Sequence, residues 1–209
     1  MAVMAANPIQ LAAAPPEVSG SSSSSSNESP NLPTFHRRQL PDQCIAFASP
    51  MGRRLFVEAL NAPINYMTTY FPLAEQFTTQ AEPAYCGLST LVMCLNALGV
   101  DPGRVWKGSW RWFSEESFAT SLSLADAKQK GICLSQFVTL ARCHGAAAEE
   151  IRATNDLSLD EFRSIVQRCC ASSELVLVLN YSRIPLGQTG DGHFSPVGGY
   201  HAASDMGTL

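Results

Sequence analysis

The sequence predicts an α+β fold in which a helical part comes first and an antiparallel sheet follows. Four stretches before residue 171 repeat apolar residues every three or four positions, which is the period of an amphipathic helix. Two stretches after it are short, rich in β-branched and aromatic residues and accompanied by glycines, as strands and their turns often are. Helices and strands that are segregated along the chain favour α+β over alternating βαβ units.

The most regular helix pattern begins at Cys86 and ends at Gly99. Pro83 disfavours helix just before it, so residues 74–85 are predicted to form a loop. Apolar residues at i, i+3, i+4, i+7 and i+10 give the helix one continuous buried face. These residues are Leu88, Leu91, Val92, Leu95 and Leu98.

Three further helices are predicted on either side of this one. They are expected at 52–60, 135–144 and 158–170. The last begins with a capping box, Ser158-x-x-Glu161, in which each residue satisfies a backbone N–H group of the other. Its predicted buried face comprises Leu159, Phe162, Ile165, Val166 and Cys169.

The two predicted strands form the C-terminal part of the domain. They are expected at 174–181 and 193–201, with the glycine-rich turn 187–192 between them. Pro196 and the glycines near it interrupt the second pattern, because proline cannot donate to a sheet ladder. A strand is predicted over 193–201, with its regular alternation interrupted at Pro196.

The composition indicates one folded domain preceded by a tail. The chain has 209 residues, of which 45% are hydrophobic and 15% charged, a balance that supports a buried core. Residues 1–34 are rich in alanine, serine and proline and are expected to form a disordered leader. The folded catalytic domain is expected over 35–209.

Charge and cysteine usage exclude several classes of protein. A net charge of −4 argues against a nucleic-acid partner, which would need a basic excess to neutralise phosphates. No apolar run reaches the roughly 18 residues of a membrane span, so no membrane partner is expected. Seven cysteines, an odd number, without a secretory signal indicate reduced thiols and a cytoplasmic protein. Such thiols are free to act as nucleophiles or ligands.

Cys86 is the first candidate nucleophile, because it opens the best predicted helix. Unpaired backbone N–H groups and the helix macrodipole favour an anion at this position, and the thiolate is the reactive form of cysteine. The alternative is that Cys86 is a small buried hydrophobic residue at a helix start. Gln80, six residues earlier, could complete an oxyanion hole with the backbone N–H of Cys86. The alternative for Gln80 is a solvated loop amide.

His193 is the first candidate for the general base. It follows Cys86 by more than a hundred residues and begins the last predicted strand, in the order Cys then His that papain-like enzymes show. His201, eight residues later, is the main rival. His36 lies at the edge of the leader and His144 at a helix end, so both are weaker candidates.

Four segments resemble the catalytic core of the phytochelatin synthase family. They are Gln76–Phe113, 131–146, 154–163 and 188–206, and the most specific motifs within them are EPAYCGL and GHFSPVGGYH. The resemblance covers most of the expected catalytic domain. It implies a papain-like cysteine peptidase fold, with a nucleophile helix followed by an antiparallel sheet.

The resemblance also implies an activity and the residues that carry it. In this family a cysteine cleaves glycine from glutathione and transfers the γ-glutamylcysteinyl group to another glutathione or to a phytochelatin. The products chelate heavy metals. By position, Cys86 matches the family's nucleophile, Gln80 its oxyanion residue and His193 its general base. The alternatives are a hydrolase that only removes glycine, and a catalytically inactive truncated form that binds thiol peptides or a full-length partner. A homodimer is a separate expectation about assembly.

Metal ions are expected to act with the substrate. The resemblance implies that Cd²⁺ or Zn²⁺ serves as activator or as the metal–glutathione thiolate, with no tightly bound cofactor. A metal site on the protein is left open, because the pairs Cys169-Cys170 and Cys143-His144 lack the C-x2-C spacing of structural zinc sites.

The sequence departs from the family at its C-terminal end. The third catalytic residue, an Asp, is expected just beyond Leu209, on a strand that follows the GGYH segment. Asp205 matches a different family position, and nothing selects Asp191 or Asn180 for the role. The final strands of the fold are therefore expected to be missing. From this we expect the 209-residue form to be a truncated product, weakly active or inactive.

Overall fold

The computed structural model describes residues 1–6, 40–153 and 157–209. The α-helices in those ranges are Pro50–Leu60 (α1), Tyr70–Ala74 (α2), Cys86–Ala97 (α3), Leu124–Lys130 (α4), Leu134–Cys143 (α5) and Leu159–Cys170 (α6). The strands are Ala2–Ala6 (β1), Ala146–Glu150 (β2), Val176–Tyr181 (β3), His193–Pro196 (β4), Gly199–His201 (β5) and Met206–Thr208 (β6). The predicted α+β class is confirmed.

The strands form two antiparallel sheets. Four of them pair in the order β2-β1-β3-β4, and β5 pairs with β6 in a separate two-stranded sheet. In the larger sheet, Tyr181 of β3 lies opposite His193 of β4, and Asn180 lies opposite Phe194. This register places His193 at the start of an edge strand.

The larger sheet is covered by helices on both faces. Alternate residues of a strand point to opposite faces, so Val176 and Val178 pack with α3 and α5. Leu177 points the other way and packs with Val166 and Cys169 of α6. The sheet thus separates two apolar clusters, and α3 lies on the face that it shares with α5.

All four predicted helices are confirmed to within two residues of their expected ends. On α3, four of the five stripe residues are buried and the fifth, Leu98, is half-buried. The capping box of α6 is formed, with Ser158 N donating to Glu161 Oε2 at 2.8 Å and Glu161 N donating to Ser158 Oγ at 3.2 Å.

The predicted buried face of α6 is wrong for one residue. Leu159 is 60% exposed, whereas Leu157, just before the helix, packs on the α6 cluster together with Phe162. An apolar residue that precedes the N-cap often packs against the fourth helical residue in this way. Leu157 therefore fills the place that the periodicity assigns to Leu159.

The single strand predicted at 193–201 is also wrong, because it is two strands in different sheets. Val197 N donates to Leu177 O at 2.8 Å, whereas the next amide, Gly198 N, donates to Thr208 O at 2.8 Å. The hydrogen-bonded partner of the chain therefore changes from β3 to β6 between Val197 and Gly198. The other predicted strand is confirmed as β3.

The N-terminal residues differ most from expectation. The predicted disordered leader is wrong for Ala2–Ala6, which form β1 between β2 and β3, and residues 7–34 lie outside the described residues. The segment is uncharged and apolar, which suits a strand with both faces buried. Ala2 and Met4 pack on the α3 side of the sheet and Val3 on the α6 side. The boundary at residue 35 stays a prediction.

No helix in the described part of the chain is long and apolar enough to cross a membrane.

Candidate active site

The structure places Cys86 at the first position of α3, where the sequence predicts it. The N-cap residue, Tyr85, makes no side-chain bond to the helix start. The first N–H groups of a helix have no acceptor within the helix, so without a cap they remain available to an anion. Cys86 is half-buried, which leaves its sulfur within reach of a ligand. The backbone N–H groups at this position can donate to an oxyanion.

The start of α3 is pressed against the start of β4. A β-carbon placed on Gly87 would lie 3.2 Å from Phe194 Cδ2 of β4 and 2.6 Å from Ile132 Cγ1, in the segment between α4 and α5, so α3 packs closely on both. One turn further along, Thr90 Oγ1 donates to Phe194 O at 3.3 Å. Cys86 precedes Gly87, and His193 precedes Phe194. The contact therefore brings the two candidate catalytic residues into one neighbourhood.

The surroundings of His193 favour its neutral imidazole. It is half-buried, and its ring meets the ring of Tyr181 edge to face with centroids 5.7 Å apart. Burial lowers the pKa of His193 below its ordinary value of 6.5, and the positive charge of Arg183 lowers it further. The neutral imidazole, which accepts a proton, is therefore the main form at pH 7.

The thiol and the imidazole are not hydrogen-bonded to each other. Among the described residues, neither the Cys86 side chain nor the His193 side chain forms a hydrogen bond. Catalytic hydrogen bonds are often long or absent in a free enzyme and tighten when substrate binds. The free imidazole is thus available to a thiol proton or a substrate amine.

The Gln80 amide is engaged within its own loop. Its Nε2 donates to Glu82 O and to Pro83 O, each at 2.8 Å, which uses both amide hydrogens. Gln80 must release one of these carbonyls before it can donate to an oxyanion. In this conformation the donor next to the Cys86 sulfur is the backbone N–H of Cys86 itself, and the oxyanion role of Gln80 stays a prediction.

Glu115 is a residue of this region that the sequence analysis does not identify. Its two carboxylate oxygens each accept from Ala81 N at 3.2 Å, and one also accepts from Ser89 Oγ. Ala81 follows Gln80, and Ser89 lies one turn into α3 from Cys86. No local sequence pattern shows this contact, because Glu115 follows Ala81 by 34 residues.

The rival histidine lies elsewhere. His201 belongs to β5, where its Nε2 is 3.3 Å from Glu58 Oε2 and its Nδ1 accepts from Ser204 N at 3.1 Å. His144 ends α5 with its Nδ1 2.9 Å from Leu140 O. Neither contacts Cys86, and His36 lies outside the described residues. The choice of His193 over His201 is supported by this separation.

Asp205 and Asn180 lie in different surroundings. Asp205 is paired with Arg163 and accepts from Tyr200 Oη at 2.7 Å, which lowers the pKa of Asp205 to about 2. It therefore fixes the β5–β6 turn to α6. The carboxamide of Asn180 approaches the loop before His193, since its Nδ2 would lie 3.7 Å from a β-carbon on Gly192. The Asp expected beyond Leu209 stays a prediction.

No group of three or more metal-ligating side chains occurs in the described ranges. Cys169 and Cys170 are buried, and burial raises the pKa of both thiols, that of Cys170 to about 12. Thiols of this kind stay protonated and are poor ligands.

The fold and the site together define an α+β protein with a helix-borne cysteine next to a histidine-bearing strand, an arrangement suited to acyl transfer through a thioester. The phytochelatin synthase family model matches residues 35–208, and the chain belongs to this family. The chain is 47% identical over 167 residues to glutathione gamma-glutamylcysteinyltransferase of Schizosaccharomyces pombe, covering 80% of this chain and 40% of the relative.

Plant relatives give a similar result. The chain is 48% identical over 173 residues to glutathione gamma-glutamylcysteinyltransferase 3 of Lotus japonicus, covering 82% of this chain and 36% of the relative. It is 44% identical over 176 residues to glutathione gamma-glutamylcysteinyltransferase 2 of Arabidopsis thaliana, covering 84% of this chain and 38% of the relative. The chain thus spans well under half the length of these relatives.

Proposed function

We propose that this chain carries the catalytic thiol of a glutathione γ-glutamylcysteinyltransferase, which makes phytochelatins from glutathione. The observation that carries the proposal is the family match over 35–208, in which Cys86 opens a helix packed against the strand of His193. The relatives are named for this activity. A papain-like arrangement, with a nucleophile helix against an antiparallel sheet, is part of the same proposal.

The first half of the reaction forms a thioester. His193 takes the proton of the Cys86 thiol, and the sulfur attacks the carbonyl carbon of the Cys–Gly amide in glutathione. The backbone N–H of Cys86 donates to the developing oxyanion. His193 then gives its proton to the glycine nitrogen, the C–N bond breaks, and glycine leaves. The γ-glutamylcysteinyl group remains on the sulfur.

The second half transfers that group. The amine of a second glutathione, or of a phytochelatin, attacks the thioester carbonyl while His193 takes a proton from the amine. The C–S bond breaks, and the proton returns to the Cys86 sulfur. The product is longer by one γ-glutamylcysteinyl unit. Water in place of the amine would give γ-glutamylcysteine, which is the hydrolase outcome.

Heavy-metal ions enter this scheme as part of the substrate. Soft ions such as Cd²⁺ bind thiolates strongly, and glutathione supplies a thiolate. The described part of the chain groups no three ligating side chains that would hold such an ion. We therefore propose that Cd²⁺ or Zn²⁺ reaches the site on the sulfur of glutathione.

The test is incubation of the purified chain with glutathione and Cd²⁺, followed by mass spectrometry of the products. The proposal predicts glycine together with (γGlu-Cys)2-Gly. Glycine with γ-glutamylcysteine alone would show a hydrolase, and unchanged glutathione would contradict both activities. Cys86→Ser should abolish turnover. Cys143→Ser is the matched control, because Cys143 is an exposed cysteine at the far end of α5.

A further inference from the structure

The loop that leads into α3 is held to that helix by one carboxylate. We propose that Glu115 is a positioning residue, which fixes the Gln80 loop against the nucleophile helix and so sets where Gln80 lies relative to Cys86. This inference rests on the proposed function, because it concerns the oxyanion side of the same site.

Glu115 bridges two segments that meet at the reaction centre. It accepts from Ala81 N, the amide that follows Gln80, and from the hydroxyl of Ser89, which is buried in the first turns of α3. Hydrogen bonds to an ionised carboxylate are about twice as strong as those between neutral groups. A single side chain thus holds the loop and the helix at a fixed separation.

Glu115 is itself held in place. It begins a 3₁₀-helix, Glu115–Phe118, whose last residue is fully buried. Just before it, Phe113 N donates to Asn96 Oδ1 at 3.0 Å, and Asn96 Nδ2 donates to Phe113 O at 3.1 Å. Asn96 lies near the C-terminal end of α3. The segment that carries Glu115 is therefore attached to α3 at two places, to Ser89 through Glu115 and to Asn96 through Phe113.

The other bonds of the loop do not make this connection. The Gln80 amide bonds to carbonyls of its own loop, which shapes the turn without attaching it to α3. Glu82 pairs with Lys128 of α4 at 2.7 Å, but Lys128 is 59% exposed, and exposed ion pairs contribute little. The Glu115 bridge is thus the side-chain connection from Ala81 to α3.

The chemistry of the bridge requires a carboxylate. Both partners are donors, and an ionised carboxylate only accepts. The amide of a glutamine is neutral and has one accepting oxygen, so Glu115→Gln keeps the side-chain length but removes the charge and the second oxygen to which Ala81 N donates. The neighbour Glu116 is exposed and supplies a matched control, Glu116→Gln.

The first test does not depend on activity. Amide hydrogen exchange at Ala81 is followed in the full chain, in Glu115→Gln and in Glu116→Gln. Replacement of the charged acceptor by a neutral one weakens this hydrogen bond and should speed exchange at Ala81 by about 5-fold in Glu115→Gln. Glu116→Gln should leave it unchanged. Equal exchange in all three proteins would overturn the proposal.

The second test asks whether Glu115 acts through Gln80. Glycine release is measured for Gln80→Ala, Glu115→Gln and the double variant. Each single change should lower kcat with little change in KM, and the double variant should be no slower than the slower single. If the two losses in kcat multiply in the double variant, Glu115 and Gln80 act independently and the proposal is overturned. If the unaltered chain releases no glycine, the proposed function fails, and exchange at Ala81 alone decides on Glu115.

Discussion

His193 and His201 belong to the same nine-residue segment but lie in different environments. His201 has both ring nitrogens engaged, one with Glu58 and one with Ser204 N. His193 has no hydrogen-bond partner among the described residues and lies beside the start of α3. The difference shows that a histidine available for proton transfer can be recognised by the partners it lacks, whereas a histidine that holds the fold together has its partners in place.

The largest expected effect separates the two histidines directly. His193→Gln removes the proposed base and should slow glycine release by about 10²–10⁴-fold, the usual contribution of general acid–base catalysis. His201→Gln, the matched control, should leave the rate within a few-fold. Steady-state kinetics on the two variants makes the measurement. Equal losses in both would contradict the assignment of the base.

The next effect concerns the packing of α3 at Gly87, the residue after Cys86. Gly87→Ala places a methyl group 2.6 Å from Ile132 Cγ1 and 3.2 Å from Phe194 Cδ2, so these side chains or the start of α3 must shift. Overpacking of this kind costs about 1–3 kcal/mol of stability. Displacement of Cys86 from His193 should also slow glycine release by about 10²-fold.

A second glycine supplies the control for this variant. Gly207 lies in β6, where a β-carbon would meet only Gly199 O at 3.8 Å. Gly207→Ala should therefore change neither the free energy of unfolding nor the rate of glycine release. If Gly87→Ala behaves in the same way, the close packing of α3 at Gly87 is not required for activity.

The pH dependence of activity should report the environment of His193. Burial and Arg183 lower its pKa below 6.5, so the base is neutral at pH 7 and becomes protonated only at lower pH. The acid limb of kcat/KM should lie below pH 6.5. Arg183→Gln removes a positive charge, which raises the pKa of His193 and should move this limb to higher pH. A limb that does not move would contradict the assignment.

The smallest effect is expected at His201. Glu58→Gln removes its ion-pair partner, but the Glu58 side chain is 50% exposed. Exposed pairs contribute at most about 1 kcal/mol, so the free energy of unfolding should fall by no more than that, and glycine release should not change. Urea unfolding of Glu58→Gln and of the unaltered chain measures the difference.

The sequence predicts well those features that depend on neighbouring residues. The stripe of α3, the capping box of α6 and the cysteine at the start of α3 each follow from spacings of a few positions, and the structure contains them. β1 was missed because its burial depends on pairing with β2 and β3, which lie more than a hundred residues away.

Two features of the site could not be predicted for the same reason. The break between β4 and β5 depends on which distant carbonyl accepts from Gly198 N. The bridge from Glu115 to Ala81 depends on the packing of a 3₁₀-helix against α3. Sequence patterns identify the chemical groups of the site, whereas long-range contacts decide which of them are free to react.

The central claim is that the Cys86 sulfur carries the acyl group between the two half-reactions. The most direct measurement is mass spectrometry of the chain after acid quenching during turnover of glutathione, with peptide mapping of the modified residue. We predict one γ-glutamylcysteinyl group on Cys86, and none after hydroxylamine treatment, which cleaves thioesters. An acyl group on another residue, or glycine release that persists in Cys86→Ser, would contradict the account.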